Sequence, residues 1–221
     1  MKTALQKVRR GLNTKLGFFL LTVLLFAIKS YWAYKTKFNL GISDSMQQFL
    51  LAFNTLPGAL VFLGIALYFR GRLSYWLMIL INFLLSTWLF ANILYYREFS
   101  DFITFNIIKG SGAASNNLGK SLMGIIKPTD FLVYADVIIL IVLLAAHFIR
   151  IDMRYFKVRY AMTITMIGFV LFGANLAMAE KDRPQLLTRT FDNNYIVKYL
   201  GLQAYTCLLY TSDAADEGLG V

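Results

Sequence analysis

The stretch "LSYWLMILINFLLSTWLFANILYY", residues 73–96, decides the fold. It contains no charged side chain over 24 residues. At about 1.5 Å of rise per residue, a helix of that length crosses the roughly 30 Å hydrocarbon core of a bilayer. Backbone N–H and C=O groups find no water there, so each must bond within its own segment, and helix is the form expected.

Four more segments read the same way, at 16–34, 46–69, 131–149 and 160–179. All five are about 19–24 residues long, the length a tilted or upright span requires. Over all 221 residues, 58% are apolar and only 15% are charged, and the mean hydropathy is +0.58. A soluble domain carries about 25% charge and cannot hide this much apolar surface around one core. The expected fold class is therefore all-α, a polytopic membrane protein with five transmembrane helices and an amphipathic interfacial helix.

The net charge is +10, but the basic residues sit in short clusters between apolar runs. That pattern sets membrane orientation and argues against nucleic acid as a partner. The leader 1–15 holds Lys2, Lys7, Arg9, Arg10 and Lys15. The turn after the second segment holds Arg70 and Arg72, and the loop after the fourth holds Arg150, Arg154, Lys157 and Arg159. Against these eleven stands one acid, Asp152. The positive-inside rule makes that side cytoplasmic, with the N-terminus inside and the C-terminus outside a multi-pass cell-membrane protein. The leader resembles a signal peptide, but no small-x-small site follows "AIKSYWAYKTKF", so the first helix is expected to be retained. Ala177-x-Ala179 has the small-x-small form but reads as ordinary helix-end alanine.

The lone Cys207 excludes an internal disulfide, and the lone His147 excludes a multi-histidine metal cluster. There is no HExxH, P-loop, GxSxG or paired-carboxylate motif. No internal repeat is visible, and interfacial anchoring accounts for the aromatic residues near the span ends. His147 is expected near the cytoplasmic interface, too far along its helix to partner Asp136. Asn54 and Pro57 are expected to bend the second span, with Gly58 easing the bend.

Four polar residues inside the spans are the candidate site: Lys29, Asn92, Asp136 and Asn175. Each sits about one turn from the outer end of its span, so together they form a possible outer-leaflet polar layer able to receive a lipid headgroup. A Lys29–Asp136 pair would neutralise both charges if their helices touch. The structural reading stays open beside it: lysine snorkels, asparagines bond across helices, and Asp136 suits a helix start.

The linker 97–130 combines Phe99, Phe102, Ile103 and Ile107 at near-helical spacing, which suggests an interfacial helix, followed by the flexible "GSGAASNN". Its Arg97, Glu98, Asp101, Lys109, Lys120 and Lys127 could meet phosphate headgroups or simply be solvated. Thr129 or Asp130 is expected to cap the fourth span. After Ala179 the chain turns polar. Pro184 ends or bends the helix, and "FDNNYIVKYLGL" offers Phe191, Tyr195, Ile196, Tyr199 and Leu200 to one amphipathic face. Residues 180–206 are expected to be an extracellular, membrane-proximal linker.

Four long strings, "YKTKFNLGISDSMQQFLL" (34–51), "FLGIALYFRG" (62–71), "YYREFSDFIT" (95–104) and "EKDRPQLLTRTFDNNYIVKYLG" (180–201), carry a family resemblance. To about residue 205 the chain resembles the N-terminal membrane part of the lipoteichoic acid synthases of low-GC Gram-positive bacteria. The resemblance implies five membrane helices followed by an extracellular sulfatase-like domain with a threonine nucleophile and a divalent metal, commonly manganese. It implies transfer of glycerol phosphate from phosphatidylglycerol to a polyglycerophosphate chain on a glycolipid anchor, with release of diacylglycerol. Cell-envelope proteins are further expected partners.

No catalytic, cofactor or metal residue carries over, because the domain that holds them is expected beyond this chain. Thr188, Thr190 and Thr206 are not candidates for the nucleophile. The tail "TCLLYTSDAADEGLGV" lacks family features and resembles translated adapter DNA, so residues 207–221 are expected to be artefactual. The expected function is that of the membrane-anchoring part of such a synthase, inactive alone. The alternatives are a stand-alone structural or regulatory membrane module and a lipid transporter or flippase. The last is disfavoured by the missing inverted repeat.

Overall fold

The computed structural model describes residues 11–42, 44–104, 124–153, 156–182, 184 and 192–208. Among them there is no strand, and five helices are long and apolar enough to cross a membrane. The first span is α1, Lys15–Thr36. Its start is fixed by Thr14, whose Oγ1 accepts a hydrogen bond from the Gly17 N–H at 3.0 Å, the usual N-cap arrangement. The second span is broken into α2, Ser45–Phe53, and α3, Thr55–Gly64, followed by a 3-10 turn at Ile65–Tyr68. The third span is α4, Gly71–Phe99. The fourth starts as a 3-10 helix, Pro128–Tyr134, and continues as α5, Ala135–Ala145. The fifth is α6, Val158–Asp182. Two short helices follow, α7 at Asn193–Leu200 and α8 at residues 202–208.

Contacts near the helix ends show an up-and-down bundle. At one end Lys15 donates to the Phe69 carbonyl at 3.2 Å, the Arg150 N–H donates to Asn13 Oδ1, and the Asp152 N–H donates to the Tyr75 hydroxyl. This is the basic end. At the other end the Tyr96 hydroxyl donates to the Asn39 carbonyl at 3.0 Å, and Lys37 and Arg97 both reach Asp130. Two buried clusters are stacked along the bundle. One lies toward the basic end around Phe18, Phe26, Leu63, Tyr75 and Met78. The other, around Tyr34, Phe38, Tyr96, Phe102 and Tyr205, lies toward the opposite end. The second span is the most buried of the five and the fifth the least. Outward-facing rows such as Leu16, Leu20, Leu24 and Ile28 recur every fourth residue of α1, as expected for a lipid-facing stripe.

Several expectations change here. The described part of the interfacial helix expected over 99–107 is not a separate surface helix. Phe99 ends α4, Ser100 is left-handed at φ 53°, and 102–104 are non-helical. Phe102 turns inward and is fully buried against Phe38, Tyr96 and Tyr205, because burying that ring is worth more than laying it on an interface. Ile107, Lys109 and Lys120 lie outside the described residues. The fourth span runs from Pro128 to Ala145 instead of 131–149. It stops where exposed His147 adopts φ 53°, with its ring Nδ1 2.9 Å from the Ala145 carbonyl oxygen.

The cap of the fourth span is neither Thr129 nor Asp130 but Lys127. Asp130 occupies the third helical position and accepts from the Lys127 N–H at 2.9 Å. The amphipathic reading of 191–202 holds for its described part, since Asn193–Leu200 is a helix. That helix packs on the bundle, with Val197, Tyr199 and Leu200 buried. Phe191, Thr188 and Thr190 lie outside the described residues.

Candidate functional site

The apolar pattern places α1, α4 and the fourth span side by side, and their few polar residues meet at one level. Lys29 Nζ lies 2.6 Å from Asp136 Oδ2 and donates to Ser86 Oγ at 2.6 Å and to Asn82 Oδ1 at 3.4 Å. Asn82 Nδ2 donates to the same Asp136 oxygen at 2.9 Å, and Ser86 Oγ donates back to the Asn82 carbonyl. The Phe26 ring lies under the ammonium at 4.8 Å. All four polar residues are buried, Asn82 and Ser86 completely. Lys29 does not snorkel. It points inward, because a carboxylate, an amide, a hydroxyl and a ring face together replace the water it would otherwise seek. Asp136 Oδ1 has no donor among the described residues.

The sequence reading placed Asn92 and Asn175 in this layer, and the structure puts them elsewhere. Asn92 donates to the Trp88 carbonyl and accepts from the Ile103 N–H at 3.1 Å, which folds the chain after Ser100 back along α4. Asn175 belongs to a second constellation around α7. Asn82 and Ser86 were missed. Both lie at i and i+4 on the stretch 73–96, one helical face toward Lys29, so their spacing was the available signal.

A second charged centre lies at the non-basic end. Asp130 is fully buried and accepts from Lys37 Nζ at 2.8 Å, from both Arg97 Nη atoms at 2.8 Å, and from the Lys127 N–H. Lys37 also donates to Thr129 Oγ1, and Arg97 to the Ile125 carbonyl. Arg97 is thus the fork of an ion pair, and Asp101 accepts from Asn193 Nδ2 and the Phe102 N–H.

The third constellation docks α7 and α8 onto the bundle. Asn54, at the break between α2 and α3, donates to the Lys198 carbonyl at 3.5 Å, and Asn175 donates to the Tyr199 carbonyl at 3.3 Å. These are two of the last carbonyls of α7, which no helical N–H can reach. Gly201, at φ 83°, turns the chain into α8, where the Leu202 N–H donates to the buried Tyr34 hydroxyl at 3.0 Å. Gln47 Nε2 donates to the Tyr199 hydroxyl, which donates to Asp182, and Trp88 Nε1 donates to Thr206 Oγ1 at 2.9 Å. Thr206 is therefore an internal hydrogen-bonding residue. Gly58 does more than ease a bend: a Cβ there would lie 2.9 Å from Gln203 Cβ, so its small size admits α8. Burial raises the Tyr205 phenol and the exposed-edge Cys207 thiol above their ordinary values.

Two clefts open beside this dock. One, of about 120 Å³, is mainly apolar and lies between α3, α6 and α8, with Pro57, Phe62 and Phe172 on its walls. The other, of about 470 Å³, is lined by polar and apolar surface alike and lies between residues 39–41, the end of α4 and the start of α7. Among the described residues no three His, Cys, Asp or Glu side chains gather as a metal site would require.

Five apolar helices joined by buried ion pairs define a multi-pass helical membrane domain. A model of the lipoteichoic acid synthase N-terminal domain family matches residues 1–213, and the chain belongs to that family. It is 49% identical to lipoteichoic acid synthase 1 of Bacillus subtilis over 201 residues, 90% of this chain and 31% of that protein. It is 42% identical to lipoteichoic acid synthase 2 of the same organism, over 93% of this chain and 30% of that protein. It is also 36% identical to the lipoteichoic acid synthase of Staphylococcus aureus, over 86% of this chain and 29% of that protein. The chain thus spans about a third of the length of the curated relatives it matches. No solved structure gives a significant match.

Proposed function

We propose that this chain is the membrane-anchoring part of a lipoteichoic acid synthase. In this reading the synthase transfers glycerol phosphate from phosphatidylglycerol to a growing polyglycerophosphate chain on a glycolipid anchor. The observation that carries it is the family match across residues 1–213, combined with alignment to only the first third of the relatives' length. The transfer chemistry, with its manganese ion, then belongs to the remaining two thirds of the synthase. The described residues here do not fit a metal site, and no reaction step is assigned to them.

The reading also assigns an orientation, with the basic end in the cytoplasm and α7 outside, supported by the clustering of Arg70, Arg72, Arg150 and Lys157 at one end. Domain limits follow: a cytoplasmic leader over 1–15, the helical domain over 16–179 and an outer segment over 180–206. Lys29 and Asp136 lock spans one, three and four together at a fixed depth, while Asn92 and Asn175 fix the outer segments.

A chimera tests the reading. Residues 1–206 are joined to the remaining two thirds of B. subtilis lipoteichoic acid synthase 1 and expressed in a host lacking its own synthases. Polyglycerophosphate polymer is expected to return. A chimera present in the membrane at normal level but making no polymer overturns the reading. Reporter fusions after residues 156 and 200 are expected to read cytoplasmic and external respectively, and the reverse pattern overturns the orientation.

A further inference from the structure

The cleft of about 470 Å³ opens at the non-basic end of the bundle, with a closed floor and an open rim. At the floor, Leu40 and Tyr96 are buried, the Tyr96 hydroxyl donates to the Asn39 carbonyl, and Lys198 Nζ donates to the Gly41 carbonyl at 2.7 Å. At the rim, Asn39, Gly41, Ser100 and Asp192 are exposed. Gly41 and Ser100 hold φ at 56° and 53°, so sharp backbone turns, not covering side chains, shape the opening. An apolar floor inside a polar, accessible rim is the anatomy of a non-obligate protein interface. The chain passes close by. Tyr205 of α8 sets its ring 6.0 Å from that of Phe102, two residues past Ser100 on the cleft wall, and Thr206 is tied to Trp88. With neighbouring Cα atoms about 3.8 Å apart, the end of α8 lies roughly 15–20 Å from the rim. The relatives this chain matches are about three times as long. A part joined at so short a distance meets the rim at an effective concentration on the order of millimolar, so a contact with a Kd of about 1 mM is already populated.

The rim also has a sign. Asp192 is exposed at the head of α7, Asn193 Nδ2 donates to Asp101 beside it, and Glu98, two residues before Ser100, is exposed. The cations at hand are engaged, buried Lys198 on the Gly41 carbonyl and Arg97 on Asp130. We propose that this cleft seats a surface loop of the synthase's own extracellular part, one that brings a basic side chain to Asp192 and an apolar one toward Leu40 and Tyr96. It rests on the reading of the chain as the membrane part of a longer synthase. Seated there, the outer part is held against the bundle instead of swinging freely on its connection to α8.

The test uses the chimera of residues 1–206 with the remaining two thirds of B. subtilis lipoteichoic acid synthase 1. The photo-reactive residue p-benzoylphenylalanine replaces exposed Asn39, whose carbonyl contact with Tyr96 is kept, or, as a control, exposed Lys127, which lies at the same end but off the cleft. Membranes are irradiated and adducts are mapped by mass spectrometry. From position 39 an adduct within the same chain, on the extracellular part, is expected at roughly fivefold or more the yield from position 127, because a tethered loop in its seat is present most of the time. Asp192→Asn keeps a good N-cap for α7 and removes the charge. It is expected to lower the adduct from position 39 about threefold, the size of an exposed ion pair, with unchanged thermal unfolding. Adducts only to lipid, to a second copy or to another protein, a yield no higher than from position 127, or a yield that Asp192→Asn leaves unchanged overturns the proposal. Adducts are read on chimera in the membrane whether or not polymer is made, so failure of the seat is distinct from failure of polymer synthesis.

Discussion

Asp130 and Asp136 lie less than two helical turns apart in one span, are both buried, and are solved differently. Asp130 sits at the helix start and collects two cations and a backbone N–H, so both its oxygens are engaged. Asp136 sits deeper and has one cation and one amide, both on Oδ2, with Oδ1 left without a donor among the described residues. At the boundary, long side chains from the linker after α1 and from the end of α4 can converge with little penalty. Inside the bundle every polar partner must itself be buried, so the deep centre is built from the fewest groups that cancel the charge. The shallow centre organises loops, and the deep one organises helices.

Breaking the deep pair should have the largest effect. Lys29→Met alone leaves a carboxylate inside the bundle, and Asp136→Leu alone leaves an ammonium. Each is expected to cost about 3–5 kcal/mol, read as loss of folded protein in detergent thermal-unfolding assays. The double variant Lys29→Met/Asp136→Leu is expected to recover most of that loss, since well-packed apolar replacements of a buried pair are often neutral or better. A double variant as unstable as the singles would show that the polar network around Asn82 and Ser86, not the charge pair, holds these helices.

The shallow centre should be more forgiving. Arg97 keeps 22% of its side chain exposed and can turn toward water. Asp130→Asn is expected to cost about 1.5–3 kcal/mol, the range for losing charged hydrogen bonds. It should loosen the linkers without releasing α5, visible as faster amide exchange near residues 37–40 and 96–104 with α5 still protected. Equal loss of protection in α5 would erase the distinction between the two centres.

The dock is the third test. Gly58→Val would drive its side chain into Gln203 and is expected to cost about 1–3 kcal/mol as overpacking, releasing α8 first. Asn54→Ala removes one side-chain bond to the end of α7 and should cost about 1 kcal/mol. Limited proteolysis within 193–208 reads both. Unchanged protection in Gly58→Val would mean that α8 does not rest on α3.

Much of this was legible in the sequence, because the bilayer leaves few choices. Apolar length alone set five helices, and charge clustering set the basic end. The spacing of Lys29 and Asp136 within their spans suggested a pair. What was misread concerns partners. Asn92 lies on the same helix as Asn82 and Ser86, the partners of Lys29, but further toward its end, and Asn175 faces α7. Phe102, at helical spacing with Phe99, left the interface for the core. The segment after Ala179 read as a membrane-proximal linker with an amphipathic part, and what only the structure adds is that its described helices pack on the bundle.

The sequence by itself determined that five segments are apolar enough to span and which end is basic, because hydrocarbon forbids unpaired backbone and charge asymmetry needs no contacts to be read. Only the tertiary structure decided that Asn82 and Ser86 join the Lys29–Asp136 pair, that Asp130 is a hub and that Asn54 and Asn175 grip the end of α7. Those facts depend on which faces of separate helices meet. That choice is made by side-chain packing between segments far apart in the chain, a relation that neither periodicity nor composition records.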